Sequence, residues 1–178
     1  GELLANMTAN DFGLMQLPDI LSFLNAFVII AMIWVITFHV FHQMARVDRT
    51  YLYIHLATMM MLAFIPVSSH MNVMFPGKSI FPVLFHLNML VIGVLLAIAW
   101  WHIIRTPSIC RQGLSPGQLQ CTGIKTLFLP VTAVFGILLA SLDLSFTQGV
   151  YLITMLAFAL MTLYSRARRK RSVLIALL

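Results

Sequence analysis

The stretch that decides the fold runs from residue 20 to residue 49 and reads ILSFLNAFVIIAMIWVITFHVFHQMARVDR. From Ile20 to Met44 it contains no charged side chain. A helix needs about 20 predominantly apolar residues to cross the hydrocarbon core of a bilayer. The pattern therefore predicts a membrane-spanning helix that ends in a charged turn, from Arg46 to Arg49.

The remainder of the chain repeats this alternation of long apolar runs and short charged segments. Of the 178 residues, 61% are hydrophobic and only 9% are charged, whereas soluble domains carry about 25% charged residues. The formal net charge of +6 does not indicate nucleic-acid binding, because the charges lie between the apolar runs. We predict an all-α fold, a polytopic membrane helix bundle, with about five transmembrane helices at residues 20–44, 51–70, 81–104, 124–142 and 148–164. Pro66 is expected to interrupt the second span near its end. An irregular loop is predicted from Arg105 to Gly123, because it contains Pro107, Gly113, Pro116 and Gly117.

Lysine and arginine residues segregate to one side of these spans. Of the eleven, only Lys78 falls on the other side; the remaining ten are Arg46, Arg49, Arg105, Arg111, Lys125, Arg166, Arg168, Arg169, Lys170 and Arg171. Because positively charged loops stay in the cytoplasm, we predict a basic cytoplasmic tail at 166–178 and an extracytoplasmic N-terminal segment at 1–19. The membrane is expected to be a prokaryotic inner membrane. Five spans in this orientation also require a signal sequence or a further helix upstream.

A set of motifs surrounds the first charged turn. Trp34 is followed seven residues later by Phe41, then by Asp48-Arg49 and, at the end of the next span, by Ile65-Pro66-Val67. This order resembles the second and third helices of the transmembrane-protein-175 family, the potassium channels of endolysosomes and many prokaryotes. In that family a Trp and a Phe seven residues apart precede a basic turn with Asp-Arg and a helix that ends in a Leu-Pro-Phe-like step.

The resemblance implies a membrane subunit of a potassium channel, in a homo-oligomer or with other membrane subunits. Phe85 and Asn88 resemble the aromatic residue and Asn of the family's next helix. The family's His residues after the Trp are replaced by Thr37 and Phe38, and His55 stands where an Asn is expected. The family's first helix, with its Arg-x-x-x-Phe-Ser-Asp signature and pore constriction, has no counterpart in this sequence. One alternative is therefore a non-conducting accessory or structural subunit of a larger complex.

Five residues within the spans are candidates for lining a pore or for packing between helices. Polar side chains inside a membrane usually bond across helices, although one or two could line a water-filled path. Trp34 lies deep in its span, where we expect it to pack between helices. The five candidates are Asn25, Trp34, Thr37, Phe41 and Asn88.

Histidines near the ends of the spans suggest an alternative from a different class. His39, His55 and His102 lie at the cytoplasmic ends of the first three spans, and His70 and His86 lie at the opposite ends. Two layers of histidine on facing helices would suit the axial ligands of haem, which predicts a haem-binding membrane electron carrier. Histidines near helix ends are also commonly interfacial, and we expect no cofactor.

The charged turn contains the only acidic residue on the predicted cytoplasmic side. Asp48 is flanked by Arg46 and Arg49, and we predict that it pairs locally and fixes the turn. The sequence has no Ser-His-Asp set, no paired carboxylates within the spans and no metal-ligand spacing, so we predict that it is not an enzyme. Cys110 and Cys121 match no zinc or redox motif and are predicted to be unpaired thiols in a reducing compartment.

Overall fold

The computed structural model describes residues 9–75, 80–142, 149–160 and 162–163. Within these ranges the chain forms helices and no β-strand, and the helices are α1 (Ala9–Phe41), α2 (Arg49–Ala63), α3 (Ile65–Met74), α4 (Ile80–Arg105), α5 (Pro116–Ser141) and α6 (Val150–Leu160). Four stretches are long and apolar enough to cross a membrane: Ile20–Phe41, Arg49–Asn72, Ile80–Arg105 and Pro116–Ser141. The predicted all-α polytopic bundle is confirmed. Residues 1–8, Lys78 and the basic tail 166–178 lie outside the described residues.

Helix α1 buries a narrow stripe of apolar side chains and turns its aromatic residues outward. Buried residues three or four positions apart form one face of a helix, as Ile29, Ile33 and Ile36 do here, each at most 1% exposed. The opposite face carries large side chains that are more than half exposed: Phe23, Phe27, Trp34 and Phe38. In a membrane these side chains contact lipid or another protein. Their apolar surface therefore does not face water, and its exposure is not unfavourable.

Proline divides the second spanning stretch into α2 and α3. Phe64 separates the two helices, and Pro66 lies in the first turn of α3. Because proline has no N–H, it cannot bond the Leu62 carbonyl, and its ring crowds that carbonyl. Asn88 on α4 donates from Nδ2 to the neighbouring Met61 carbonyl at 3.2 Å. The interruption that Pro66 predicts is therefore present, and a side chain of another helix bonds next to it.

Helix α4 is central, because it packs against α2, α3 and α5. Glycine allows its closest contacts with α5. A Cβ atom on Gly93 would lie 2.6 Å from both Cδ and N of Pro130, and one on Gly136 would overlap the imidazole ring of His86. Real Cβ atoms do not approach other atoms this closely, so each position requires glycine.

Helix α5 begins earlier than the sequence analysis predicts. The span was expected from residue 124, after an irregular loop, but the helix starts at Pro116. Ser115 is its N-cap and forms a capping box with Gln118, in which each side chain accepts from the other residue's backbone N–H. Proline at the first helical position is also favourable, since its missing N–H has no partner there. The Pro and Gly residues that suggested a loop thus lie at a capped helix start.

Helix α6 packs through one face, with Tyr151, Thr154 and Phe158 buried. The Oγ1 atoms of Thr154 and Thr132 lie 3.0 Å apart and join α6 to α5. The helix falls within the predicted fifth span at 148–164 and contains fewer residues than the four longer stretches.

Candidate functional site

The α1–α2 and α4–α5 connections pair with each other through their backbones. The Ala45 amide donates to the Ile109 carbonyl, and the Arg111 amide donates to the Gln43 carbonyl, both at 2.8 Å. This pairing joins two loops that are far apart in the sequence at one end of the bundle. We call it the basic end, and its exposed arginines are Arg46, Arg49, Arg105 and Arg111.

Asp48 connects three elements at the basic end. Its Oδ1 accepts a hydrogen bond from the Tyr51 amide at 2.9 Å and so caps α2, and its Oδ2 lies 2.8 Å from Nε2 of His102 on α4. The Tyr51 amide, and then the His102 ring, hold the pKa of the Asp48 carboxyl below its ordinary value of 3.8. Both side chains are partly exposed, so water screens this contact.

The predicted local pairing of Asp48 with its neighbours in the turn is corrected by this geometry. In the described part of the chain, the basic side chain within 4.0 Å of the Asp48 carboxylate is that of His102, whereas Arg46 and Arg49 are exposed. The two partners are 54 residues apart. No short-range pattern could identify His102, because the contact depends on α4 ending beside the α1–α2 turn.

Trp34 does not pack between helices of its own bundle, because its side chain is 62% exposed within this chain. It lies on the face of α1 opposite the buried isoleucine stripe. Hydropathy cannot separate the two faces of a uniformly apolar helix, since lipid and protein interior favour the same side chains.

Thr37 and Phe41 are brought into packing contacts. Thr37 is buried, and its Oγ1 donates to the Ile33 carbonyl of its own helix at 2.9 Å. The ring of Phe41 meets Tyr51 and His55 edge to face, with centroid distances of 5.3 and 5.4 Å. Phe41 thus packs the end of α1 against the start of α2.

The two asparagine candidates lie on different helices and are both partly buried. Asn25 is on α1, and Asn88 on α4 makes the contact with Met61 described above. The structure does not bring the five pore candidates together around one opening. It uses Asn88 as a link between α4 and α2.

The histidines that the haem alternative requires have separate surroundings. Nδ1 of His39 lies 2.7 Å from the Val35 carbonyl, His55 stacks on Tyr51 at 5.9 Å, and His70 is exposed on α3. Among the described residues there is no group of three or more His, Cys, Asp or Glu placed to hold a metal ion. The haem alternative itself stays a prediction.

His86 and Tyr151 form a buried pair that the sequence analysis does not identify. His86 is fully buried, its Nδ1 lies 2.9 Å from the Tyr151 hydroxyl, and the two rings stack at 5.5 Å. Nε2 of His86 is buried and has no hydrogen-bond partner among the described residues. Tyr151 lies 65 residues further along the chain, so only the packing of α6 against α4 reveals the pair.

Lys125 lies deeper in its helix than the predicted start of that span at residue 124 implies. Because α5 begins at Pro116, Lys125 is more than two turns inside the helix and only 3% exposed. Its Nζ lies 5.4 Å from the centroid of the Phe158 ring, which is a cation–π distance.

The fold and the basic end define an integral, multi-pass membrane protein, and two comparisons show which proteins it resembles. A family model described as the endosomal/lysosomal potassium channel TMEM175 matches residues 4–66, a range that includes α1, the charged turn and α2. A potassium channel of Streptomyces collinus is 24% identical over 138 residues, which are 73% of this chain and 67% of that protein. The resemblance to the TMEM175 family is confirmed.

Proposed function

We propose that this chain is a subunit of a homo-oligomeric potassium channel in a prokaryotic inner membrane. The observation that carries the proposal is the match of residues 4–66 to the potassium-channel family. The potassium channel of Streptomyces collinus supports it, because that similarity covers about three-quarters of this chain.

The buried polar groups of a single bundle do not form an ion path through that bundle, which favours a path between several copies of the chain. Buried hydroxyl groups bond within or between helices: Thr58 donates to the Ile54 carbonyl at 2.8 Å, and Thr132 and Thr154 bond each other. A potassium ion needs a continuous polar or wettable path, because a bare charge in hydrocarbon costs several kcal/mol or more. Groups bonded to one another do not provide that path. We therefore place the path between copies of the chain.

The constriction in this proposal is contributed by a helix with the Phe-Ser-Asp signature, a motif that does not occur among these 178 residues. The decisive experiment is potassium flux into liposomes. The chain alone is expected to give no flux above protein-free vesicles, and the same chain preceded by a Phe-Ser-Asp helix is expected to give potassium-selective flux. Valinomycin supplies the positive control for vesicle integrity.

Two outcomes contradict parts of this proposal. Potassium-selective flux from the 178 residues alone would mean that their own helices line the pore. Absence of flux from a stable, oligomeric protein that includes the Phe-Ser-Asp helix would exclude the channel function. It would favour the non-conducting accessory subunit, which the bonded interior also suits.

The proposed orientation has the basic end in the cytoplasm and the N-terminal segment outside. Its support is the charge asymmetry, since four exposed arginines lie at the basic end and positive loops stay inside. We replace Cys110 and Cys121 by Ser and introduce either Asp11→Cys or Arg46→Cys. An impermeant thiol reagent should label Asp11→Cys in intact cells and label Arg46→Cys only after lysis. The reverse labelling would overturn the orientation.

A further inference from the structure

An apolar groove lies on the outer surface between α4 and α5. It has a volume of about 400 Å³ and is lined by Val94, Ala97, Ile98, Trp101, Leu127 and Pro130. The helices are in close contact at Gly93 and Pro130, and one turn further along α4 the small Ala97 side chain leaves the space unfilled. The lining residues are apolar, and the groove is open on its outer side.

A fixed positive charge lies at the end of this groove nearest the basic end. The guanidinium carbon of Arg105 is 4.8 Å from the centroid of the Trp101 ring, and Trp101 lines the groove. The two residues are one helical turn apart on the same face of α4. The cation–π contact therefore holds the guanidinium group directly beyond the groove.

The protein supplies no anion for this guanidinium group in the part of the chain that the structure describes. Asp48 is the only acid in the loops of the basic end, and its carboxylate is bound to His102. Arg46, Arg49 and Arg111 are also exposed at this end and add to the positive potential. An anion from outside the protein fits this position.

We propose that the α4–α5 groove binds an anionic phospholipid, with one acyl chain against the groove lining and the phosphate on Arg105. At a rise of about 1.5 Å per residue, the distance from Val94 to Arg105 is roughly 16 Å, which fits the headgroup and the upper part of an acyl chain. Trp101 lies between the two, at the level where indole rings occur at membrane interfaces. Arginine binds phosphate oxygens through two parallel hydrogen bonds, and basic residues between membrane helices bind anionic headgroups.

Native mass spectrometry of the full chain tests the headgroup contact. The protein is purified in detergent and mixed with equal amounts of phosphatidylglycerol and phosphatidylcholine of the same acyl chains. We expect one retained phosphatidylglycerol, and Arg105→Gln should lower its preference over phosphatidylcholine about fivefold. The matched control is Arg111→Gln, an exposed arginine of the basic end outside the groove, which should change the preference less than about twofold.

The acyl-chain contact is tested by filling the groove. Ala97→Phe should reduce the binding of both lipids, because the enlarged side chain occupies the space of the acyl chain. Val91→Phe is the matched control, since Val91 is exposed on α4 and does not line the groove. Helix content and the unfolding midpoint verify that both variants fold. Crosslinking of a photoactivatable phosphatidylglycerol to wild-type protein, followed by peptide mapping, requires no variant and should label residues 94–101 and 127–130.

Three results would overturn the site. An equal loss of phosphatidylglycerol in Arg105→Gln and Arg111→Gln would mean that the surface potential alone attracts the lipid. Unchanged lipid binding in a folded Ala97→Phe protein, or crosslinks elsewhere in wild type, would remove the groove as the acyl-chain site. If Ala97→Phe changed the number of copies per complex without changing lipid binding, the groove would be a contact between subunits instead of a lipid site.

Discussion

Polar contacts at the basic end and polar contacts inside the bundle differ in whether water can solvate the groups when a contact breaks. At the basic end, Asp48 and His102 are partly exposed, so water can solvate either group. Inside the bundle, His86 and Tyr151 are almost fully buried, and no solvent can take the place of a lost partner. A broken contact costs the full desolvation of the remaining group only in the second case. The energetic importance of a polar pair in this molecule therefore follows its depth rather than its charge.

The largest effect is expected where two helix backbones touch in the interior. Gly93→Ala places a methyl group 2.6 Å from the backbone nitrogen of Pro130, and neither side is a flexible side chain that can move away. We expect a loss of about 1–3 kcal/mol, the usual cost of overpacking. Gly117→Ala is the control, since a Cβ atom there meets nothing within 4 Å. Thermal unfolding in detergent measures both, and equal midpoints would contradict the close contact of α4 with α5.

A smaller effect is expected from removing one hydroxyl from the buried pair. Tyr151→Phe leaves His86 without its 2.9 Å partner in a site that water does not reach. We expect a loss of about 1–2 kcal/mol in the free energy of unfolding. Tyr53→Phe removes a hydroxyl from a residue that is 69% exposed and should change the stability little. Chemical unfolding curves measure both variants. Equal losses of stability would mean that the burial of the Tyr151 hydroxyl is not what makes it important.

The contact of Asp48 with His102 at the basic end should contribute less, and its contribution should depend on pH. Asp48→Asn keeps an N-cap acceptor for α2 but removes the charge that faces His102, so we expect a cost below about 1 kcal/mol. Because the pKa of Asp48 is lowered in the folded protein, its stabilisation is present above the ordinary value of 3.8 and is lost as the pH falls through the lower folded value. Unfolding midpoints from neutral to acidic pH should therefore converge for wild type and variant below that value. A constant difference between the two midpoints across this pH range would mean that the charge of Asp48 is not the source of the stabilisation.

The smallest effect on subunit stability is expected at the outer face of α1. Trp34→Ala removes a large side chain that is 62% exposed, so no internal cavity forms. Away from buried features, substitutions usually change stability by less than about 0.5 kcal/mol. Unfolding under conditions that keep the chain monomeric measures this, with Trp100→Ala as the contrast, because Trp100 is only 7% exposed. Similar costs for both would mean that Trp34 is buried after all.

The sequence predicts the features that depend on neighbours in the chain. The uncharged run from Ile20 to Met44 predicts most of α1, and Pro66 predicts the break between α2 and α3, because a missing N–H acts within one turn. The start of α5 was missed because Pro116 and Gly117 were interpreted as loop residues without the capping residue Ser115.

The features that depend on distant partners could not be predicted from one sequence. Asp48 meets His102 and His86 meets Tyr151 only because α4 lies between the other helices. The outward position of Trp34 was missed for a different reason. Its helix is apolar on every side, so periodicity gives no direction, and only the packed bundle distinguishes the buried face from the lipid-facing one.

The contact between Asn88 and the α2–α3 break has a consequence for biosynthesis. The ribosome makes residues 49–72 before it makes Asn88, so the broken span enters the membrane while its later partner is still absent. During that interval the Met61 carbonyl keeps its bond from the Phe64 amide but lacks the Nδ2 donor of Asn88, and the Leu62 carbonyl faces a proline without an N–H. A missing hydrogen-bond donor is costly in lipid, so the broken span gains its full set of bonds only after α4 has been made. The break between α2 and α3 is thus completed by a residue that the ribosome adds later.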